Sequence, residues 1–325
     1  MNIFVSGGAG YIGSATADAL LQAGHSVTVY DSLITGHRAA VPAAANFVEA
    51  ALEDRPALSS VLTRGQFDAV MHFAAFIEAG ESMRDPGRFY FNNFGNSLTL
   101  IETAVLAGVR RFVFSSTAAV YQSSDRPLTE DSPLGPTNVY GHTKLMVEQT
   151  LEWYRRIHGL HFAALRYFNA CGALPGRGEA HQPESHVIPR VLGVALGTNE
   201  AASIFGTDYP TPDGTCIRDY VHVADLVSAH LLALDALQDD DQLTYNVGSG
   251  NGFSVREVVD MARQVTGHPI PALESPRRTG DSPRLVASPE KIRRELGWQP
   301  RHADLRDMVS SAWDWHKSHP KGYDS

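Results

Sequence analysis

Short apolar runs rich in valine, isoleucine and phenylalanine punctuate the first half of the chain, and segments with apolar residues at helical spacing separate them. NIFVS leads into YIGSATADALLQAG. SVTVYD, NFVEA, DAVMHFAA, RRFVFSS and HFAALRYFN repeat the strand pattern, with NSLTLIETAVLAG and KLMVEQTLEWYRRIHG among the helical segments between them. Strands that are apolar throughout and alternate with helices predict a parallel sheet covered on both faces. The expected class is α/β: a doubly wound parallel sheet followed by a smaller mixed α/β substrate domain. After Asn169 the pattern loosens. GALPGRGEAHQPESH, GTDYPTPDGT and SPRRTGDSPRLVAS read as loops. AAVPAAAN near residue 40 reads as a helix or a loop cap, and no internal repeat is visible. The predicted division is 1–169 and 170–325, with the region near 217–240 packing back onto the first part.

Composition narrows the roles. The chain has 325 residues with 43% hydrophobic content, enough for a large core. Lys+Arg is 27 and Asp+Glu is 36, so 27 − 36 = −9. That balance argues against nucleic acid or an anionic membrane surface as partner. A small anionic ligand can still be held where basic residues cluster. Cys171 and Cys216 lie far apart in no metal-like spacing, which predicts a reducing, cytoplasmic setting. No basic start with a long apolar run opens the chain, and no apolar stretch reaches 18 residues. Neither a signal peptide nor a membrane span is expected.

Gly7, Gly10 and Gly13 follow the first strand, with Tyr11 and Ile12 opening the first helix. Such glycines permit a tight turn, close approach of backbone to a pyrophosphate and close helix–sheet packing, at the positive end of a helix. Glycines alone also make plain turns. The strand–turn–helix context gives the motif its weight and points to a Rossmann sheet. Asp31, at the end of SVTVYD, is placed to accept hydrogen bonds from the adenosine ribose and to repel a 2′-phosphate. That selects NAD over NADP.

Tyr140 and Lys144 stand four apart, on one face of a helix. A free tyrosine ionises near pH 10, and bringing it to about 7 takes roughly 4 kcal/mol. A lysine and an oxidised nicotinamide ring in a partly dry site supply charge of the right sign. Alone, this spacing is a common accident. Ser115, Ser116 and Thr117 end the strand FVFSST, where a hydroxyl faces the ligand crevice of a doubly wound sheet; at least one of the three simply caps the next turn.

With GGAGYIGS, HFAA…GES (72–82), FSSTAAVY, VYGHTKLMVE, RYFNACGA and the segments 204–226 and 275–288, the chain resembles the extended short-chain dehydrogenase/reductases and, within them, the UDP-glucose (UDP-galactose) 4-epimerases. The resemblance runs from Met1 nearly to the C-terminus. It implies a retained NAD and a UDP-sugar substrate. Tyr140 would take the proton of the sugar's 4-hydroxyl, Thr117 would bond the same oxygen, and Lys144 would bind the nicotinamide ribose and hold the tyrosine's pKa down. Cofactor contacts are further implied at Ser32, Leu52, Phe73, Ala74, Ala75, Asn92, Ser115 and Tyr167. Asn169 and His186 would touch the nucleotide sugar; Arg218, Arg278 and Asp281 the diphosphate and ribose; Phe205 the uracil. Leu285 stands where a large side chain narrows the sugar pocket and a small one admits N-acetylated hexoses. UDP-glucose and UDP-galactose are the expected pair, with UDP-N-acetylhexosamines or a UDP-pentose as the alternative. A homodimer through NSLTLIETAVLAG and KLMVEQTLEWYRR is also implied.

Departures from the family's pattern stand at Ala51, where many members carry an aspartate against adenine, at Ile77, where a lysine is common, at Gln122, and at Thr117 in place of serine. His181, Glu184 and His186 invite a metal, but they sit in a loop with a proline between them and lack the helical H-E-x-x-H spacing. No metal is expected. A 4,6-dehydratase needs an acid pair after the threonine, and Ala118 and Ala119 stand there. A net NADP-dependent reductase conflicts with Asp31, and an idle NAD-binding scaffold conflicts with the intact Thr117, Tyr140 and Lys144.

Overall fold

The computed structural model describes residues 1–238, 240–278 and 281–323. Its first half runs β1 (Asn2–Ser6), α1 (Tyr11–Gln22), β2 (Ser26–Asp31), β3 (Asn46–Glu49), α2 (Arg55–Gly65), β4 (Ala69–His72), the one-turn helices α3 (Ala79–Ser82) and α4 (Pro86–Phe89), α5 (Asn96–Leu106), β5 (Arg111–Thr117), α6 (Val139–His158) and β6 (His161–Tyr167). The second half adds β7 (Asn169–Cys171), α7 (Val187–Ala195), β8 (Ala202–Phe205), β9 (Ile217–His222), α8 (Val223–Ala236), β10 (Gln242–Val247), β11 (Gly252–Ser254), α9 (Val255–Thr266), β12 (Ala272–Ser275), β13 (Arg284–Leu285), α10 (Glu290–Leu296) and α11 (Leu305–Ser318).

Seven strands form one sheet in the order β10-β6-β5-β4-β1-β2-β3. Every neighbouring pair in it is parallel. The order reverses between β1 and β4, which opens a crevice at their carboxyl ends. Alternation along β1 sends Ile3 and Val5 to one face and Phe4 to the other. The first face packs against α1 and α8; the second holds Leu58 and Leu62 of α2, Leu100 and Ile101 of α5, and Val147 and Leu151 of α6. The doubly wound α/β class expected from the apolar runs is the observed one.

The second half returns to the sheet twice. Helix α8 lies against α1, and β10 extends the sheet beside β6. The remaining strands form two small sheets, β11-β9-β13 with β7 alongside β9, and β12-β8. A third cluster of buried apolar side chains, from α7, α9 and α11, sits beneath them. One stretch read as a loop carries more order than expected, and the segment read as a helix or a loop cap opens on a turn. Residues 38–40 form a single 3-10 turn, and 275–288 contains the short strand β13.

Asp219 ties three separate segments of the second half together. Its fully buried carboxylate accepts from Ser249 N and Oγ at 2.8 Å each, and from Gly250 N and Ala287 N at 3.0 Å each. Asp219→Ala leaves three backbone donors without acceptors, at about 1–3 kcal/mol for each buried one. Urea unfolding is expected to show a loss of about 2–4 kcal/mol, short of simple additivity because the turn can relax.

Candidate active site

A cavity of about 380 Å³ lies at the crevice. All the residues named above as cofactor contacts line it, from the glycine turn through Asp31, Phe73 and Asn92 to Ser115 and Tyr167. The turn is built by close approach. A Cβ on Gly13 would sit 2.2 Å from the carbonyl oxygen of Gly7, so only glycine lets α1 start there. Gly10 caps α1 without any side-chain acceptor for the first-turn N–H groups. That positive end is suited to a pyrophosphate. At the far wall Asp31 accepts from Ala9 N and Leu33 N, both at 2.9 Å, which fixes its carboxylate at the end of β2. Burial pushes this carboxyl above its ordinary pKa, and those two bonds pull it back. The uncapped helix start and the fixed acid fit an NAD.

Helix α6 delivers Tyr140 and Lys144. Its N-cap Asn138 accepts from Gly141 N at 2.8 Å, and Tyr140 N donates to Ser82 Oγ at 3.1 Å. Gly141 has a role that sequence reasoning missed. A Cβ there would lie 2.3 Å from the carbonyl oxygen of Ala119, so glycine brings the helix start against the turn that follows Thr117. The signal was present as the G of VYGHTK, immediately after the tyrosine. Thr117 Oγ1 accepts from Ala119 N at 3.1 Å and also lowers the Tyr140 pKa through a hydrogen bond.

The electrostatics differ from expectation. Lys144 Nζ donates to the Ser115 carbonyl at 2.8 Å and lies 6.0 Å from the centre of the Tyr140 ring. Burial pushes Lys144 down to about 7, with Glu148 opposing. Burial pushes Tyr140 up to about 12; Thr117 pulls against it and Glu78 adds to it. The protein by itself therefore does not hold the tyrosine's pKa down. The dry site that strengthens a charge interaction also penalises the charged lysine. One pairing between expected residues and one further neighbour were not anticipated. Tyr167 and Ser115 share a hydroxyl–hydroxyl bond. His72, between Ser6 Oγ and Ser97 Oγ at 2.7 Å each, is pushed down to about 3 by burial and by Lys144, so it stays neutral.

The residues assigned to the sugar separate into two groups. Asn169, His186 and Leu285 line the cavity. Phe205, Arg218, Arg278 and Asp281 do not. They gather next door, where Asp281 pairs with Arg218 at 3.5 Å and with Arg278 at 3.2 Å, and the Arg278 guanidinium lies 4.4 Å from the Phe205 ring centre. The link between the groups is the β9–β13 pairing, which sets Leu285 opposite Arg218. Loop 172–186 brings a further surprise: Glu179, His181, Glu184 and His186 converge. Helix-face spacing had argued against convergence, but a loop folded back on itself achieves it by another route. At the departures, Ala51 and Ile77 both line the cavity; Ala51 O accepts from Tyr30 OH at 3.0 Å, and Ile77 N donates to Glu78 Oε2 at 3.1 Å.

Lys144 makes the stability of the cofactor-free protein depend on pH. The unfolded chain keeps this proton up to about 10.5, whereas the folded chain releases it near 7. The group's contribution is complete above about 10.5 and is lost as pH falls through about 7. Lys144→Met is expected to be more stable than wild type at pH 7, with the difference shrinking towards pH 10; denaturant titrations of both proteins across that range check it.

Over residues 3–248 the chain matches the family described as the NAD dependent epimerase/dehydratase family. It is 51% identical over 322 residues to a UDP-glucose 4-epimerase of Streptomyces lividans, covering 98% of this chain and 97% of that one. A crystal structure of a UDP-glucose 4-epimerase superposes with a TM-score of 0.97 at 48% identity, covering 100% of both chains. The UDP-glucose-4-epimerase of Stenotrophomonas maltophila, solved with bound NAD and formylated UDP-arabinopyranose, superposes with a TM-score of 0.94 at 40% identity, covering 98% of this chain and 99% of that one. By this match and these relatives, the chain belongs to the NAD dependent epimerase/dehydratase family.

Proposed function

We propose that this chain interconverts UDP-glucose and UDP-galactose, inverting the sugar at C4 with NAD as a retained cofactor. One observation carries the reading: Thr117, Tyr140 and Lys144 line the same cavity as the glycine turn and Asp31, and Ala118 and Ala119 follow Thr117. The first part supports proton transfer beside a dinucleotide site. The second removes the acid pair that dehydration requires.

Held by the glycine turn and Asp31, NAD would supply a reversible hydride acceptor and, when oxidised, a positive charge in the cavity. The protein's part is the proton. Tyr140 takes it from the 4-hydroxyl as C4 becomes a ketone and returns it once the hexose has turned about its diphosphate. A general base works best with its pKa near the operating pH. Thr117 lowers the Tyr140 pKa from within the protein, and Lys144 fixes the floor of the site by its bond to the Ser115 carbonyl. Asn169, His186 and Leu285 form the sugar side of the cavity. Arg218 and Arg278 offer two guanidinium forks for the diphosphate, with Asp281 for the ribose and Phe205 for the uracil.

The same reading includes a division into a cofactor unit, 1–169, and a nucleotide-sugar unit, 170–325, with α8 and β10 returned to the first. It includes a homodimer through α5 and α6, supported by the exposed Leu106, Trp153 and Ile157 on those helices. Among the described residues no helix is long and apolar enough to cross a membrane. Both cysteines are free and buried, which supports a cytoplasmic setting.

Purified protein incubated with UDP-galactose alone, with no added NAD, is expected to produce UDP-glucose; no product would overturn the reading. Tyr140→Phe is expected to lower turnover by roughly 10²–10⁴-fold, the usual contribution of a positioned acid–base group, while keeping its NAD. Leu285 bears on the sugar. Turnover of the UDP-glucose pair is expected to exceed that of the N-acetylated pair, and Leu285→Tyr is expected to widen the gap at least roughly tenfold, since bulk discriminates by about 1–3 kcal/mol. Equal efficiency of wild type on both pairs would favour the N-acetylhexosamine alternative.

A further inference from the structure

We propose that Glu179, His181, Glu184 and His186 form a site for one divalent transition-metal ion, zinc by its donor set, that fastens loop 172–186 to the wall of the cofactor cavity. The four side chains alternate. His186 Nδ1 lies 2.7 Å from Glu179 Oε1 and 3.0 Å from Glu184 Oε1. His181 Nδ1 lies 3.0 Å from Glu179 Oε1 and 3.8 Å from Glu184 Oε2. Each imidazole nitrogen therefore faces two carboxylates, and the donor atoms of all four residues fall within 4.8 Å of one another.

Four of the six ligand pairs lie near the separation that tetrahedral coordination needs. Metal–ligand bonds of about 2.0–2.1 Å place neighbouring ligand atoms roughly 3.3 Å apart, and the observed distances, 2.7 to 3.8 Å, straddle that value. Two imidazole nitrogens and two carboxylate oxygens suit zinc and disfavour calcium or magnesium, which take oxygen ligands. Two carboxylates also balance a double positive charge. Four protein ligands leave no open position, so the site is structural.

Its place explains what it would hold. Glu179 is only 4% exposed, and Glu179, His181 and His186 line the cavity. The His181 ring meets Tyr11 edge-on, and Tyr11 OH donates to Gly172 O at 2.6 Å at the start of the same loop. Tyr11 belongs to the glycine turn. One ion would thus lock the loop, the turn and the sugar-facing His186 together without touching the reacting atoms.

The test measures zinc by mass spectrometry in full-length protein incubated with zinc sulfate and passed over a chelating resin. About one zinc per chain is expected for wild type, as for closed four-ligand sites. His181→Ala and Glu184→Gln are each expected to retain at least roughly tenfold less, as losing part of a coordination set does. His316→Ala, which removes a histidine close to Glu179 and Glu184, is expected to retain the wild-type amount. Replacing zinc with cobalt(II) should give the intense visible bands of a tetrahedral ion in wild type, a reading that does not depend on any variant folding. Wild type that leaves the resin free of zinc, or His181→Ala and Glu184→Gln proteins that hold as much as wild type, overturns the proposal.

Discussion

The buried charges on the inner face of α6 set the geometry on which the site depends. Tyr140, Lys144 and Glu148 follow one another at four-residue spacing, so one stripe of the helix carries a phenol, an ammonium and a carboxylate into the sheet. Glu148 is met there by Arg166 of β6 through bonds of 2.6, 3.0 and 3.2 Å, and by the Ser116 hydroxyl of β5. Arg166 also donates to Tyr121 OH at 2.9 Å. A buried ion pair gains little unless its remaining hydrogen-bonding capacity is filled. Here it is filled from two strands, so rotation or sliding of α6 would strand a charge in the core. The pair acts as a register pin. One helical turn above it Lys144 reaches the Ser115 carbonyl, and one turn further Tyr140 meets Thr117.

The sheet supplies the other half of the constraint. Ser115 and Thr117 end β5 at the crevice, and the strand order reverses two positions away, between β4 and β1. The helix that the ion pair fixes is therefore fixed against the strand that borders the ligand cavity. Gly141 completes the arrangement, because a helix start held this close to the Ala119 carbonyl admits no side chain. Stability and position come from the same contacts, which is why a polar stripe is tolerated inside an otherwise apolar layer.

How much of this could be read from residues alone follows from the range of each interaction. The glycine turn, Asp31 at a strand end, and Tyr140 and Lys144 on one helix face are local patterns, and the fold places all of them at one cavity. The direction in which Lys144 acts was not legible, because it depends on burial that only the packed sheet creates. The quartet of Glu179, His181, Glu184 and His186 was dismissed by a helix-spacing rule; its convergence depends on the path of a loop, which has no periodicity to read. Arg218 and Arg278 share Asp281 beside the cavity, a pairing that the residues alone did not announce. That arrangement depends on the pairing of β13, two residues long, inside a segment that reads as loop.

The electrostatic reversal at Tyr140 sharpens the division of labour between protein and cofactor. With the phenol pushed up to about 12 and the lysine down to about 7, the protein alone favours the neutral form of both groups. Both shifts have burial as the largest cause, and both disfavour charge. Adding a positive ring to the cavity acts with the opposite sign on the phenol, in the low-dielectric setting where such interactions are strongest. On the function proposed above, the tyrosine would become a base only with an oxidised NAD in place. That coupling suits an enzyme whose oxidation and reduction steps must alternate on one bound sugar, because proton removal and hydride removal then become available together.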